Sequence, residues 1–269
     1  MPLATQTVIA PNAKPDKTII FLHGILGSGA NWRTFAKQVV QERPRYQAIL
    51  VDLRLHGDST DLPPPHTVEN AAKDIREALK ETRIDVIHGH SFGGKVGLAL
   101  AGQLDGDLDR LFIIDSNPGA RPDARGSEST KHIVELLTEL PEEFADRNEF
   151  TKWAEDRGVT RPVAMWLAMN VRPVTGTTRF VFRIDIPSVR TLIEDYFVLD
   201  LWHLLESPKG RMKTALIAGG MSTVVDKADL ERARKCRETE VLVIPEAGHW
   251  VHVDAPDALR TMVLERLEP

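Results

Sequence analysis

The chain has 269 residues, 42% of them apolar and 27% charged, with a net charge of −5. That makeup supports a globular protein with a sizeable core. It excludes the clustered basic surface of a nucleic-acid-binding domain, and no run reaches the roughly 20 apolar residues of a membrane-spanning helix.

The first 16 residues lack the apolar run of a signal peptide, so the expected location is cytoplasmic. Residues 18–22 are short, apolar and β-branched, and read as a strand; a helix follows over 31–41. A second strand over 48–51 leads to a helix over 67–82, with Thr67 as its N-cap and Glu69 in its first turn. A strand over 85–88 precedes a helix over 94–104, and a strand over 111–115 comes next. Near the end, strands over 215–218 and 241–244 alternate with helices over 229–235 and 256–267. These strands are continuously apolar rather than alternating, as strands buried on both faces of a parallel sheet must be. Their alternation with helices predicts an α/β architecture with helices on both faces of the sheet.

The alternation stops between residues 121 and 213. Helical patterns over 129–140, 142–157, 162–170 and 188–205 fill the gap, with little strand character. The block is too long for a loop and is expected to be a helical lid over a sheet-borne site. The division is therefore core over 1–120, lid over 121–212 and core again over 213–269. The single cysteine, Cys236, lies among charged residues 234–238 and reads as a surface thiol on a helix.

Gly89-His90-Ser91-Phe92-Gly93 is a G-x-S-x-G turn with a strand before it and a helix after it. The chain must reverse sharply at Ser91, and side chains two residues to either side would collide. The hydroxyl then stands exposed at a helix N-terminus, where negative charge is favoured. Gly89 to Lys95 also fits most of a phosphate-binding loop, but Val96 follows where Ser or Thr must ligate magnesium. Nucleotide binding is thus disfavoured, and Lys95 reads as a solvated helix residue. His88 and His90 are too isolated for a metal pair.

An acyl-transfer enzyme needs two backbone N–H groups aimed at the forming oxyanion. Phe92, next after the nucleophile, supplies one. The other is expected from the glycine-bearing loop His23-Gly24-Ile25-Leu26-Gly27, at Ile25 with Leu26 as the fallback. A base must come from a loop at the same sheet edge. His249 follows the last strand in Pro245-Glu246-Ala247-Gly248-His249-Trp250 and is favoured over His252, whose setting before Asp254 and Pro256 suits a structural role.

Six segments stand in order along nearly the whole chain: HGILGSGANW from His23, VDLRLHGDS from Val51, GHSFGGK from Gly89, IDSNPG from Ile114, IAGGMSTVV from Ile217 and GHWVHVDAPD from Gly248. Together they resemble the α/β-hydrolase superfamily and, more narrowly, the YbfF-type esterases and their eukaryotic abhydrolase relatives. The resemblance implies the α/β-hydrolase fold with a helical cap, carboxylesterase or thioesterase activity, and neither cofactor nor metal. It also bears on the acid. Most of the superfamily carries it after the seventh strand, where this chain has Ser222. The narrower family implies Asp115 instead, at the end of the preceding strand. Asp226 is the alternative, though it also reads as a helix cap.

The expected chemistry is attack by Ser91 on an ester or thioester carbonyl, with His249 as base and Asp115 orienting it. A small-molecule substrate with a small to medium acyl group is expected, because the lid is rich in large apolar side chains. Trp166, Phe182 and Trp250 are the candidate pocket residues. A lyase or C–C bond hydrolase on the same fold is the competing reading.

Overall fold

The computed structural model describes residues 3–268. Its centre is a seven-stranded sheet of β1 (Thr5–Val8), β2 (Lys17–Leu22), β3 (Tyr46–Val51), β4 (Val86–His90), β5 (Arg110–Ile114), β8 (Lys213–Gly219) and β9 (Thr239–Ile244). The order is β1-β3-β2-β4-β5-β8-β9, parallel throughout except for the antiparallel edge strand β1. Successive side chains alternate between two cores. Ile19 and Phe21 of β2 enter one and Ile20 and Leu22 the other; Phe112 and Ile114 of β5 oppose Leu111 and Ile113 in the same way. Burial on both faces explains the continuous apolar runs.

On one face pack α1 (Arg33–Glu42) and α11 (Pro256–Leu264), through Phe35, Val39, Leu259 and Val263. On the other lie α2 (Val68–Ala78), α3 (Phe92–Gln103) and α9 (Lys227–Arg234). Thr67 caps α2 by accepting the Asn70 N–H, and Asp226 caps α9 by accepting that of Asp229. A one-turn helix, α10 (Val251–Asp254), follows His249.

Between β5 and β8 runs a block with α4 (Glu128–Leu136), α5 (Arg147–Glu155), α6 (Arg161–Leu167), α7 (Ile186–Val198) and α8 (Trp202–Glu206). It contains two elements unforeseen in the sequence, the paired strands β6 (Val171–Pro173) and β7 (Phe180–Phe182). They are three residues each, too short to show a period. The expected helix over 188–205 is in fact two, broken at residues 199–201. β1 was also unforeseen: its Thr-Gln-Thr-Val is mostly exposed, so it lacks the apolar run of the inner strands.

Two sequence expectations are corrected. Cys236 is not a surface thiol; it lies just past the end of α9 and is 5% exposed. Lys95 is not solvated; it is 1% exposed. α3 is buried at every residue from Phe92 to Ala101, so around Lys95 no face of it reaches water. The Lys95 ammonium is satisfied instead by three carbonyls, those of Gly119 at 2.7 Å, Tyr196 at 2.8 Å and Leu199 at 3.0 Å. Three donors meet three acceptors, two of them at the C-terminal end of α7, where the helix dipole favours a cation.

Candidate active site

The carboxyl ends of β2, β4, β5, β8 and β9 converge on one edge, where open α/β sheets hold their sites. Ser91 stands between β4 and α3 with φ 53° and ψ −123°, a conformation that L residues avoid. Its amide is pinned to the Ile114 carbonyl at 2.9 Å. Two glycines permit the turn. A Cβ at Gly89 would lie 2.3 Å from the Gly93 carbonyl oxygen, and one at Gly93 would lie 2.5 Å from that of His23. The first collision is with the outgoing helix, the second with the end of β2.

Three side chains meet at this turn. His249 Nε2 lies 3.0 Å from Ser91 Oγ, and His249 Nδ1 lies 2.7 Å from Asp115 Oδ2. Both ring nitrogens are thus engaged: Nδ1–H donates to the carboxylate, leaving the Nε2 lone pair for the serine proton. Asp115 is fully buried at the end of β5, with φ 44°. Its Oδ1 accepts the Gly219 N–H at 3.0 Å, and Oδ2 also accepts the Ser222 hydroxyl at 2.5 Å. So Ser222, at the acid's usual place in the superfamily, is a hydrogen-bond donor to the carboxylate that lies one strand away. Asp226, the alternative acid, is occupied capping α9 and pairing with Arg121 at 2.9 Å.

The glycine loop lies against the nucleophile: a Cβ on Gly24 would be 3.4 Å from Ser91 Cβ. Within this loop the polar groups are assigned in turn. Leu26 donates its amide to His56 Nε2 at 2.9 Å, which removes it as the fallback oxyanion donor. His23 donates from Nδ1 to the Gly24 carbonyl at 2.8 Å. Among the described residues, the amides of Ile25 and Phe92 have no hydrogen-bond acceptor. One of these amides follows Ser91 directly and the other lies in the loop that abuts it, and unpaired amides are the donor type that a developing oxyanion requires.

A set of neutral histidines lies behind this edge. His90 Nε2 donates to the His249 carbonyl at 2.8 Å, with the two rings 4.9 Å apart. Burial holds His90 well below the usual imidazole range. His252 packs on Trp32 and His90, at 4.7 and 4.8 Å between ring centres, and burial pulls it to about 4. His88 is enclosed by Phe21, Trp32, Phe35 and Phe112, with neither ring nitrogen partnered among the described residues and burial drawing it to about 3.

Of the candidate pocket residues, Trp166 of α6 and Trp250 meet edge to face at 4.6 Å, and Trp250 adjoins His249 at 5.9 Å. Phe182 is not brought to them. Half-buried, it stacks at 5.4 Å on Phe150, which is fully buried in the helical block. Sequence reasoning missed two polar ties from this block to the core, Lys95 to the end of α7 and Asn170 to the Leu26 carbonyl at 2.8 Å. Each joins residues more than 100 positions apart, beyond any local pattern.

Sheet order, strained serine turn and histidine loop define an α/β hydrolase. The chain belongs to the Alpha/beta hydrolase family, whose profile matches residues 19–261. It is 30% identical over 255 residues to the mouse (Mus musculus) sn-1-specific diacylglycerol lipase ABHD11, covering 88% of this chain and 76% of that one. It is 27% identical over 270 residues to the Escherichia coli esterase YbfF, covering 96% of each. Among solved structures, a marine microorganism esterase superposes with a TM-score of 0.84 at 22% identity, over 99% of both chains. The protein is thus a hydrolase of the α/β type with esterase and lipase relatives. No helix among the described residues is long and apolar enough to cross a membrane.

Proposed function

We propose that the protein is a serine hydrolase that cleaves carboxylic esters or thioesters of small to medium acyl groups through an acyl-enzyme. The observation that carries this reading is the unbroken chain Asp115–His249–Ser91, with hydrogen bonds of 2.7 and 3.0 Å. His249 takes the Ser91 proton as Oγ attacks the acyl carbonyl. The amides of Ile25 and Phe92 receive the negative oxygen. Collapse of the adduct breaks the bond to the leaving group, which takes the proton from His249. A water then repeats the sequence on the acyl-enzyme, releasing the acid and restoring Ser91. Asp115, buried and held by Gly219 and Ser222, keeps His249 in the reactive tautomer.

The helical block acts as a lid in this proposal. Three contacts with the core edge support it: Trp166 on Trp250, Tyr196 on Phe92 at 6.0 Å between ring centres, and Asn170 on Leu26. Trp166 and Trp250 form an apolar wall for the acyl chain, each buried methylene contributing roughly 0.8 kcal/mol. Phe182 serves the lid's own packing. The esterase and lipase names of the relatives support ester substrates.

A series of p-nitrophenyl esters and acyl-CoA thioesters of rising chain length, beside a peptide substrate, tests the reading. kcat/KM should climb with acyl length, then drop where the pocket ends, with the peptide poorest. A flat profile, or faster cleavage of the peptide, would overturn it.

A further inference from the structure

We infer that Asn170 is a positioning residue that sets the oxyanion hole from the helical block. The inference rests on the serine-hydrolase reading above, with Ile25 as an oxyanion donor. Asn170 closes a 3-10 turn, Ala168–Asn170, at the entry to β6, and is 7% exposed. Its carbonyl accepts the Arg183 N–H at 3.0 Å, which anchors it within the block. Its side-chain amide reaches across 144 positions to donate to the Leu26 carbonyl at 2.8 Å.

Leu26 is the residue that needs such a tie. It has φ 62°, in the left-handed region that a leucine occupies only when its surroundings force it there. Its amide is held from the core side by His56 and its carbonyl from the lid side by Asn170. Both neighbouring peptide planes are therefore clamped, one of them the Ile25–Leu26 peptide. The Ile25 amide lies one residue upstream, unpaired, in a loop whose Gly24 abuts Ser91. Without the Asn170 donor, the lid-side tie is lost and the Leu26 carbonyl is left buried without a donor, so that the turn is held only from the core side, by His56 on Leu26 and by the Gly27 N–H and His23 on the Gly24 carbonyl. The strained turn then has reason to relax, and the Ile25 amide turns with it. Misplacement by about 1 Å at a reacting centre is enough to cost on the order of a hundredfold. On this account the block is more than a cover, because it completes the hole it overlies.

The test compares Asn170→Leu, which keeps the branched shape without the donor, and Asn170→Ala, each verified as folded by circular dichroism. Both should lower kcat about ten- to a hundredfold with KM within about twofold, since the group acts only when the oxyanion forms. An aryl trifluoromethyl ketone adds a direct readout. Ser91 Oγ bonds to its carbonyl carbon, the proton passes to His249, and the hemiketal oxygen carries the negative charge into the hole. Its Ki should rise by the factor that kcat falls. Unchanged kcat, a loss confined to KM, or a fallen kcat with unchanged Ki would overturn the role of Asn170. Ser91→Ala, run alongside, separates the two layers: if it stays active, the serine-hydrolase reading fails, whatever Asn170 does.

Discussion

At the scale of single residues, hydrogen bonds link Ser91, His249 and Asp115, and the proposed mechanism uses them as one unit. Ser91→Ala should remove essentially all esterase activity, and His249→Ala should fall to a similar level. The double variant should be little worse, because removing any member disables the rest. Asp115→Asn should cost roughly 10²–10⁴ in kcat, since an amide cannot hold the reactive tautomer or stabilise the imidazolium. Asp226→Asn should leave kcat nearly intact and lower stability by about 1 kcal/mol at most, through a weakened cap on α9. Steady-state kinetics on the five variants checks the assignment; a crippled Asp226→Asn beside a mild Asp115→Asn would reverse it. The serine turn was legible in the sequence because its constraint is local: glycines at 89 and 93 exist to let helix and strands approach within contact. Asp115 rested on family resemblance, since its partners at 219, 222 and 249 come from two other loops. Asn170 had no signal, for an asparagine at a helix end looks like a cap.

At the scale of elements, α3 shows why composition misled. A lysine in a helix ordinarily marks its wet side, and the sequence alone places Lys95 there. Yet α3 is enclosed by β4, β5, α2 and the end of α7, and the charge is met by backbone carbonyls instead of water. Burial pulls the Lys95 ammonium down to about 7, against the raising influence of Asp200 and Asp195. Lys95→Met should leave three buried carbonyls without a donor and cost at least about 2 kcal/mol, read as a lower urea midpoint with little change in slope. Arginine should not rescue it, because a planar fork cannot reproduce three donors on one nitrogen. A Lys95→Met variant as stable as the parent would contradict the clasp. The short strands β6 and β7 and the edge strand β1 escaped the sequence reading for a related reason: their pairing, not their composition, makes them strands. The inner strands were legible because burial on both faces makes most of their positions apolar, the buried His88 and His90 of β4 being exceptions.

At the scale of the whole molecule, the neutral histidines set an acid limit on stability. His23 and His252 are drawn to about 4 and His56 and His88 to about 3, in each case chiefly by burial, and His90 lies well below its usual value. The unfolded chain binds protons on these rings below about 6.5, while the folded chain refuses them until near 4 or lower. Their contribution is therefore fully present above 6.5 and is lost as pH falls from 6.5 toward 4. Each ring contributes a slope of up to about 1.4 kcal/mol per pH unit within that window. Urea unfolding at pH 7.5 and 5.5 should show a steep drop, smaller in His88→Leu by roughly one ring's share. That variant should sit within about 1.5 kcal/mol of the parent at pH 7.5, because it removes two unpartnered nitrogens at near-constant volume. A flat profile for the parent would contradict the neutral state of the cluster.

The central claim is that Ser91 is a nucleophile activated by His249. The most direct measurement is covalent labelling with a fluorophosphonate, followed by mass mapping of the modified peptide. The account predicts one adduct, on Ser91, formed quickly in the parent, absent in Ser91→Ala and strongly slowed in His249→Ala. An enzyme that hydrolyses esters yet carries no adduct at Ser91, or carries it on another residue, would contradict the account.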